Sequence, residues 1–147
     1  MPKVLISDKM DPNAAAIFRE RGCEVDEITG LTPDELKEII GKYDGLAIRS
    51  STKVTKDILD ACTNLKVIGR AGIGVDNVDI PAASSKGVVV MNTPFGNSIT
   101  TAEHAIALMF ALARQLPEAN AQTQAGLWPK NGFMGVEVTG KTLGLIG

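Results

Sequence analysis

Short apolar runs alternate with segments that carry helix signals over the first hundred residues, and this alternation restricts the possible folds more than any other feature. The runs are Val4-Leu5-Ile6-Ser7, Glu24 to Ile28, Gly45-Leu46-Ala47-Ile48, Lys66-Val67-Ile68-Gly69 and Val88-Val89-Val90-Met91. A strand-to-strand spacing of roughly 20 residues leaves room for a crossover helix, which parallel strands need and antiparallel hairpins do not. Five strands with helices between them predict an α/β fold, a flavodoxin-like parallel sheet of order 2-1-3-4-5 over residues 1–98.

The intervening segments carry their own start and stop signals. Asp11-Pro12 sets an N-cap followed by proline at the first helical position, and Gly22 ends that helix. Thr32-Pro33-Asp34-Glu35 reads as a capping box, with Gly41 as the stop. Thr55 caps a third helix, and a fourth runs from Asp79-Ile80-Pro81 to Gly87. Glu24 to Ile28 alternates charged and apolar residues, as an edge strand does. Val88 to Met91 is apolar throughout, which predicts a strand buried on both faces.

In open parallel sheets ligands gather at the carboxyl ends of the strands. Here those ends carry Ser7-Asp8, Arg49-Ser50, the loop Arg70-Ala71-Gly72-Ile73-Gly74, and Asn92-Thr93-Pro94. Glycines free the backbone so that N–H groups can converge on an anion, and an arginine fork suits carboxylate or phosphate. With the third and fourth strands ~5 Å apart, Arg49 and Arg70 are expected side by side on one rim, where an anion between them would relieve their repulsion. The same residues allow a plainer reading, in which the glycines only turn the strand and Arg70 pairs with a surface acid. A phosphorylation receiver shares this architecture, but Arg49 stands where its acceptor aspartate would be.

Charge places any anion site locally. With 15 basic and 17 acidic residues, net −2, the chain offers no general surface for nucleic acid or membrane. The longest apolar stretch, Ala105 to Ala113, is shorter than the ~20 residues of a bilayer span. The first strand starts at Val4, leaving no room for a signal peptide. Cys23 and Cys62 fit no metal or redox spacing, so a reduced, soluble, cytoplasmic protein without a metal is expected.

Beyond residue 97 the pattern changes. Ser98 or Thr100 can cap a helix, with Glu103 at the capping-box position relative to Thr100. Apolar residues from Ala105 to Leu116 cover almost every face, so this helix is expected to be buried by a second domain or subunit. Pro117 kinks it or opens a new helix that stops at Gly126. His104, the only histidine, is expected as a structural residue in that buried helix. Trp128, Phe133 and Met134 lie in a loop suited either to another chain or to anchoring a core. Val138 to Gly147 reads as a turn followed by an apolar strand ending at glycine, the way a dinucleotide-binding fold starts. The expectation is a piece of a longer protein, cut at the first turn of its nucleotide domain.

The blocks Ile48-Arg49-Ser50, Val67 to Asp79, Met91-Asn92-Thr93-Pro94, Gly96-Asn97-Ser98, Ala102-Glu103 and Gly140-Lys141-Thr142-Leu143-Gly144 resemble the amino-terminal part of the D-isomer-specific 2-hydroxyacid dehydrogenases. The resemblance extends over the whole chain. It implies a two-domain NAD enzyme that oxidises the 2-hydroxyl of a small phosphorylated acid, 3-phosphoglycerate, at the entry to serine synthesis. Residues 1–98 would be the substrate-binding domain, and 99–147 a long interdomain helix and the first strand of an incomplete Rossmann, NAD-binding domain. Backbone amides of Gly72 to Gly74 would hold the carboxylate, and Arg49, with Ser50 beside it, and Arg70 the phosphate. Ile73 would approach the nicotinamide, Asn97 and Ser98 would line the cleft, and Gly147 would open the cofactor turn. In a homo-oligomer, Lys130 would reach the partner's substrate site. Within the family the alternatives are a glycerate, lactate or formate type of enzyme; outside catalysis, an NAD-sensing corepressor of the same fold.

The resemblance places the family's catalytic histidine, glutamate and arginine after residue 147, so this chain holds no catalytic residue. Hydride transfer needs a base for the hydroxyl proton and a cation to polarise the carbonyl. Purified 147-residue chain mixed with NAD and 3-phosphoglycerate is therefore expected to form no NADH. Turnover above a no-protein control would refute that placement.

Overall fold

In the computed structural model, which describes residues 1–146, the five runs pair as one parallel sheet of order 2-1-3-4-5. The strands are β1 (Lys3–Ile6), β2 (Glu24–Glu27), β3 (Gly45–Ile48), β4 (Val67–Arg70) and β5 (Val89–Met91). The helices are α1 (Pro12–Glu20), α2 (Pro33–Ile39), α3 (Lys56–Ala61), α4 (Ile80–Ser85), α5 (Ser98–Ala113) and α6 (Leu116–Gln124). The chain divides into two units, Met1–Gly96 and the residues from Asn97 onward.

Side chains alternate across a strand, and the core follows that alternation. Leu5, Leu46, Ile48 and Ile68 share one cluster with Leu36 and Ile40, with Ile58 and Leu59 of α3, and with Ala82 and Ala83 of α4. Ile6 and Ala47, one residue out of phase, meet Ala15 of α1 in a smaller cluster. β3, in the middle of the sheet, is buried at all four positions.

The caps explain where the helices begin. Asp11 accepts from the Asn13 amide at 2.9 Å, and Thr32 and Glu35 complete a reciprocal capping box. Asp79 accepts from the Ala82 amide at 3.0 Å. Thr55 precedes α3 without a side-chain cap bond. Gly41 does not stop α2, because the chain tightens through a 3-10 turn, Ile40–Lys42, first. Gly22 and Gly87 end α1 and α4 with φ of 81° and 70°, angles that a Cβ makes costly.

The structure differs from the expectations for β5 and for the start of α5, and among the described residues shows α5 without the second domain or subunit expected to cover it. β5 is an edge strand with Val89 and Met91 exposed at 57% and 58%; hydrophobicity alone did not distinguish the last strand of the sheet from a central one. α5 has no buried residue among those described, and neither Ser98 nor Thr100 caps it; Asn97 occupies the N-cap position without a side-chain bond. His104 is exposed rather than packed. The break before α6 falls at Gln115, whose φ is 51°, with Pro117 inside the first turn. After a turn at Val138 to Lys141, the residues to Ile146 pair with no strand among the described residues. No described helix is long and apolar enough to cross a membrane. Both cysteines are free. Burial pushes the Cys62 thiol up to about 11, so it stays protonated and poorly nucleophilic at neutral pH.

Lys3 begins β1 within a polar cluster. Its ammonium lies 2.8 Å from Glu24 and 3.0 Å from Asp26. The Tyr43 hydroxyl donates to Asp26 at 2.8 Å. The Lys3 bond first, and the Tyr43 bond second, hold the Asp26 carboxyl below its ordinary 3.8. Burial first, then the hydrogen bond to Asp26, pushes the Tyr43 hydroxyl up to about 12. Asp44, bonded to the Lys3 amide and the Lys66 ammonium, is also held low. A carboxyl whose folded pKa is depressed stabilises the fold above its unfolded value, and that stability is lost as pH falls through the folded value. The thermal midpoint is therefore expected to fall as pH drops from about 4. Asp26→Asn should flatten that fall, and scanning calorimetry of both proteins over this range checks it.

Candidate anion site at the carboxyl edge of the sheet

The register between β3 and β4 decides what reaches the rim. Ile48 pairs with Arg70, and the Ala71 amide extends the ladder by donating to the Ile48 carbonyl at 2.8 Å. Arg49 therefore lies one residue out of phase with Arg70, and pleat alternation directs the two side chains to opposite faces. Their bonds agree with this. Arg49 Nη1 donates to the Lys9 carbonyl at 3.4 Å, whereas Arg70 Nη1 donates to the Gly74 carbonyl. The expected side-by-side pair of guanidinium groups does not form, because it took neighbouring strands to mean neighbouring side chains.

The glycine loop is built from its carbonyls outward. Gly72 O accepts from the Thr93 amide at 3.0 Å and the Thr93 hydroxyl at 3.3 Å. Ile73 O accepts from Asn92 Nδ2 at 2.7 Å, and Gly74 O accepts from Arg70. Each trans peptide directs its N–H opposite to its carbonyl. Fixing the carbonyls of Gly72 and Ile73 thus directs the N–H groups of Ile73 and Gly74 away from those donors, and neither has an acceptor among the described residues. Gly72 differs from the expectation: its own amide donates to Arg70 O at 2.9 Å. Two open amides remain, on Ile73 and Gly74.

Arg70 is held against this loop with its side chain 12% exposed. Its Nε is buried without a partner, a condition costing about 1–3 kcal/mol in general. Asp76 lies 3.9 Å from Nη2 with its carboxylate 87% exposed, too distant and too solvated to offset much of that. Two open amides beside a tightly held cation can take a carboxylate or phosphate oxygen, although the buried Nε itself is closed to solvent.

Arg49, Ser50, Arg70, Gly72, Ile73 and Gly74 all belong to the first unit, at the ends of two adjacent strands, where Asn77 bonds the backbone on both sides of Ser50. Asn97, Ser98 and Lys130 belong to the second unit. There, Lys130 lines a cavity of about 370 Å³ with Ala119, Thr123, Leu127, Trp128, Pro129 and Phe133. Gly147 lies outside the described residues. Sequence reading missed the parts played by Asn77, Asn92 and Thr93. Their signal was present, since amide and hydroxyl side chains that follow strand ends are suited to binding loop backbone.

An open parallel sheet with polar loops gathered at its carboxyl edge defines the class as a doubly wound α/β domain. The chain belongs to the D-isomer specific 2-hydroxyacid dehydrogenase family, whose catalytic-domain profile matches residues 4–141. It is 48% identical to D-3-phosphoglycerate dehydrogenase of Archaeoglobus fulgidus, over 99% of this chain and 28% of that protein. The human D-3-phosphoglycerate dehydrogenase is also 48% identical, over 99% of this chain and 27% of that protein. The chain thus spans little more than a quarter of the length of these curated relatives. Among solved structures, the NAD+-bound 3-phosphoglycerate dehydrogenase of Entamoeba histolytica superposes with a TM-score of 0.68 at 33% identity, covering 76% of this chain and 39% of that one.

A Cβ on Gly72 would come within 2.8 Å of Arg70 Nη1. The obstacle is the end of a side chain held to the Gly74 carbonyl, so Gly72→Ala should fold but lose about 1–3 kcal/mol of stability as the guanidinium is displaced from that bond. Urea denaturation together with the Arg70 Nε–H resonance in a heteronuclear NMR spectrum checks both parts. An unmoved resonance would show that Arg70 does not lie on the loop in solution.

Proposed function

We propose that this chain is the substrate-side part of a longer NAD-dependent D-3-phosphoglycerate dehydrogenase. Such an enzyme oxidises the 2-hydroxyl of 3-phosphoglycerate to the ketone of 3-phosphohydroxypyruvate in serine biosynthesis. The observation that carries the reading is 48% identity over nearly the whole chain to proteins of that name from an archaeon and from human. Residues 1–98 form the substrate-binding domain on this reading, and 99–147 begin the NAD-binding domain.

The rim supports a division of labour. The open amides of Ile73 and Gly74 bind the substrate carboxylate, with Arg70 behind them supplying charge. Arg49 is tied only by a long bond to the Lys9 carbonyl, so it can turn to the phosphate with Ser50 beside it. Asn97 and Ser98, at the start of α5, line the cleft, and Lys130 reaches the substrate site of a partner in a cytoplasmic homo-oligomer. The Ile73 side chain, 44% exposed at the tip of its loop, offers an apolar surface fitted to a flat nicotinamide ring. NAD, when bound, supplies the hydride acceptor. This chain's residues bind and orient the acid.

Arg49→Ala tests the phosphate assignment. A charge-assisted hydrogen bond contributes about 1.5–3 kcal/mol, so the affinity for 3-phosphoglycerate should fall roughly tenfold or more. The affinity for D-glycerate, which lacks the phosphate, should change little. NMR titration of the chain with each acid measures both. Equal losses would favour a family member acting on an unphosphorylated acid, and no binding of either acid would overturn the reading.

A further inference from the structure

Asp8 is the one charged side chain in the buried set of the described residues, 5% exposed, and Ser7 beside it is the one buried uncharged polar residue. Burying a carboxylate is costly unless hydrogen bonds replace its water, and the use made of those bonds is informative. Asp8 Oδ2 accepts from the Arg49 amide at 2.6 Å and the Thr52 amide at 3.1 Å. Its Oδ1 accepts from the Thr52 hydroxyl at 2.9 Å. That bond uses the single Thr52 hydroxyl hydrogen, so the contact of 3.0 Å between the Ser7 and Thr52 hydroxyls has Ser7 as donor.

The opposite sides of the same peptide segments are held by Asn77. Its Nδ2 donates to the Arg49 carbonyl at 2.7 Å and to the Thr52 carbonyl at 2.6 Å. Both residues bracketing Ser50-Ser51 are thus held twice, at N–H by a carboxylate and at C=O by a carboxamide. The residue types are not interchangeable. Position 8 needs an acceptor facing the two amides, made stronger by the carboxylate charge, and only a donor with two hydrogens serves at position 77. Asn77 also follows the glycine loop in sequence, so its side chain ties the Arg49 loop to the segment that carries Ile73 and Gly74.

We infer that Asp8 and Asn77 are positioning residues that clamp the Arg49–Thr52 loop against the glycine loop, and that affinity for the acid depends on them although neither touches it. The inference rests on the substrate reading above and extends it by two residues. Both substitutions keep size: Asp8→Asn replaces the charge-assisted bonds to the Arg49 and Thr52 amides with weaker neutral ones and forces the Thr52 hydroxyl to accept, and Asn77→Asp sets acceptor against acceptor.

The test is NMR titration of the 147-residue chain with 3-phosphoglycerate, with urea denaturation checking that each variant is folded. Each single variant is expected to bind roughly tenfold more weakly. If Asp8 acts through Arg49, adding Arg49→Ala to Asp8→Asn should weaken binding by less than about twofold further, because coupled residues do not lose affinity independently. Losses that multiply in full, or an Asp8→Asn chain that binds like the original, would overturn the inference while leaving the substrate reading in place. Should Asp8→Asn fail to fold, Thr52→Val removes one bond of the clamp and takes its place in the same cycle with the same two outcomes. An unaltered chain that does not bind 3-phosphoglycerate would overturn the substrate reading and the clamp with it, a result visible before any variant is made.

Discussion

The pairing of β3 with β4 is the interaction on which the rest of the site depends. Ile48 opposite Arg70 fixes which side chains share a face, and in a parallel ladder a slip of one residue would reverse that choice at every position. The register is enforced from within. Leu46, Ile48 and Ile68 must all enter the same apolar cluster, and a slip would turn them toward the opposite side of the sheet. The core therefore specifies the rim: Arg70 emerges over the glycine loop because Ile68, two residues earlier, is fully buried on the same side.

Much of the fold was legible in the sequence, for local reasons. Asp11-Pro12, the Thr32 to Glu35 box and Asp79 announce helix starts through groups within three residues of each other, and their bonds form as that spacing suggests. Strand order followed from the alternation of five strands with helices, which predicts an open flavodoxin-like sheet, and the strands pair in that order. The error concerns surroundings instead: Val89 and Met91 have the composition of a central strand but lie in an edge one. The apolar faces of α5, without a buried position among those described, are the ones expected to meet a second domain or subunit. Hydrophobicity states what a segment gains from being covered; it does not state what covers it.

The site was legible in its parts and not in its geometry. Glycines, two arginines and strand ends identified the rim, but the backbone bonds that shape it join residues far apart in sequence. Asn92 with Ile73, Thr93 with Gly72 and Asn77 with Arg49 are separated by 19, 21 and 28 positions. Only the assembled sheet brings them together. Gly72 illustrates the limit, because the turn it makes, with its amide on the Arg70 carbonyl, removes it from the set of open donors that its residue type had suggested.

Two ways of holding a loop meet on this rim, and the difference between them matters physically. The Arg49–Thr52 loop is held by a buried carboxylate and a carboxamide that leave its end peptides little freedom, while the Arg49 guanidinium beyond the clamp keeps one long bond. The glycine loop is held through its carbonyls, and its cation keeps an unsatisfied Nε. Binding an anion costs less when donors are already fixed, because the ordering entropy is spent on folding. A fixed backbone with a side chain free to turn suits a ligand's more distant group, and open amides with a restrained cation suit the group nearest the chemistry. On the proposed reading the carboxylate lies next to the carbon that changes oxidation state, so the glycine loop has to hold the tighter tolerance and the Arg49 loop the longer reach.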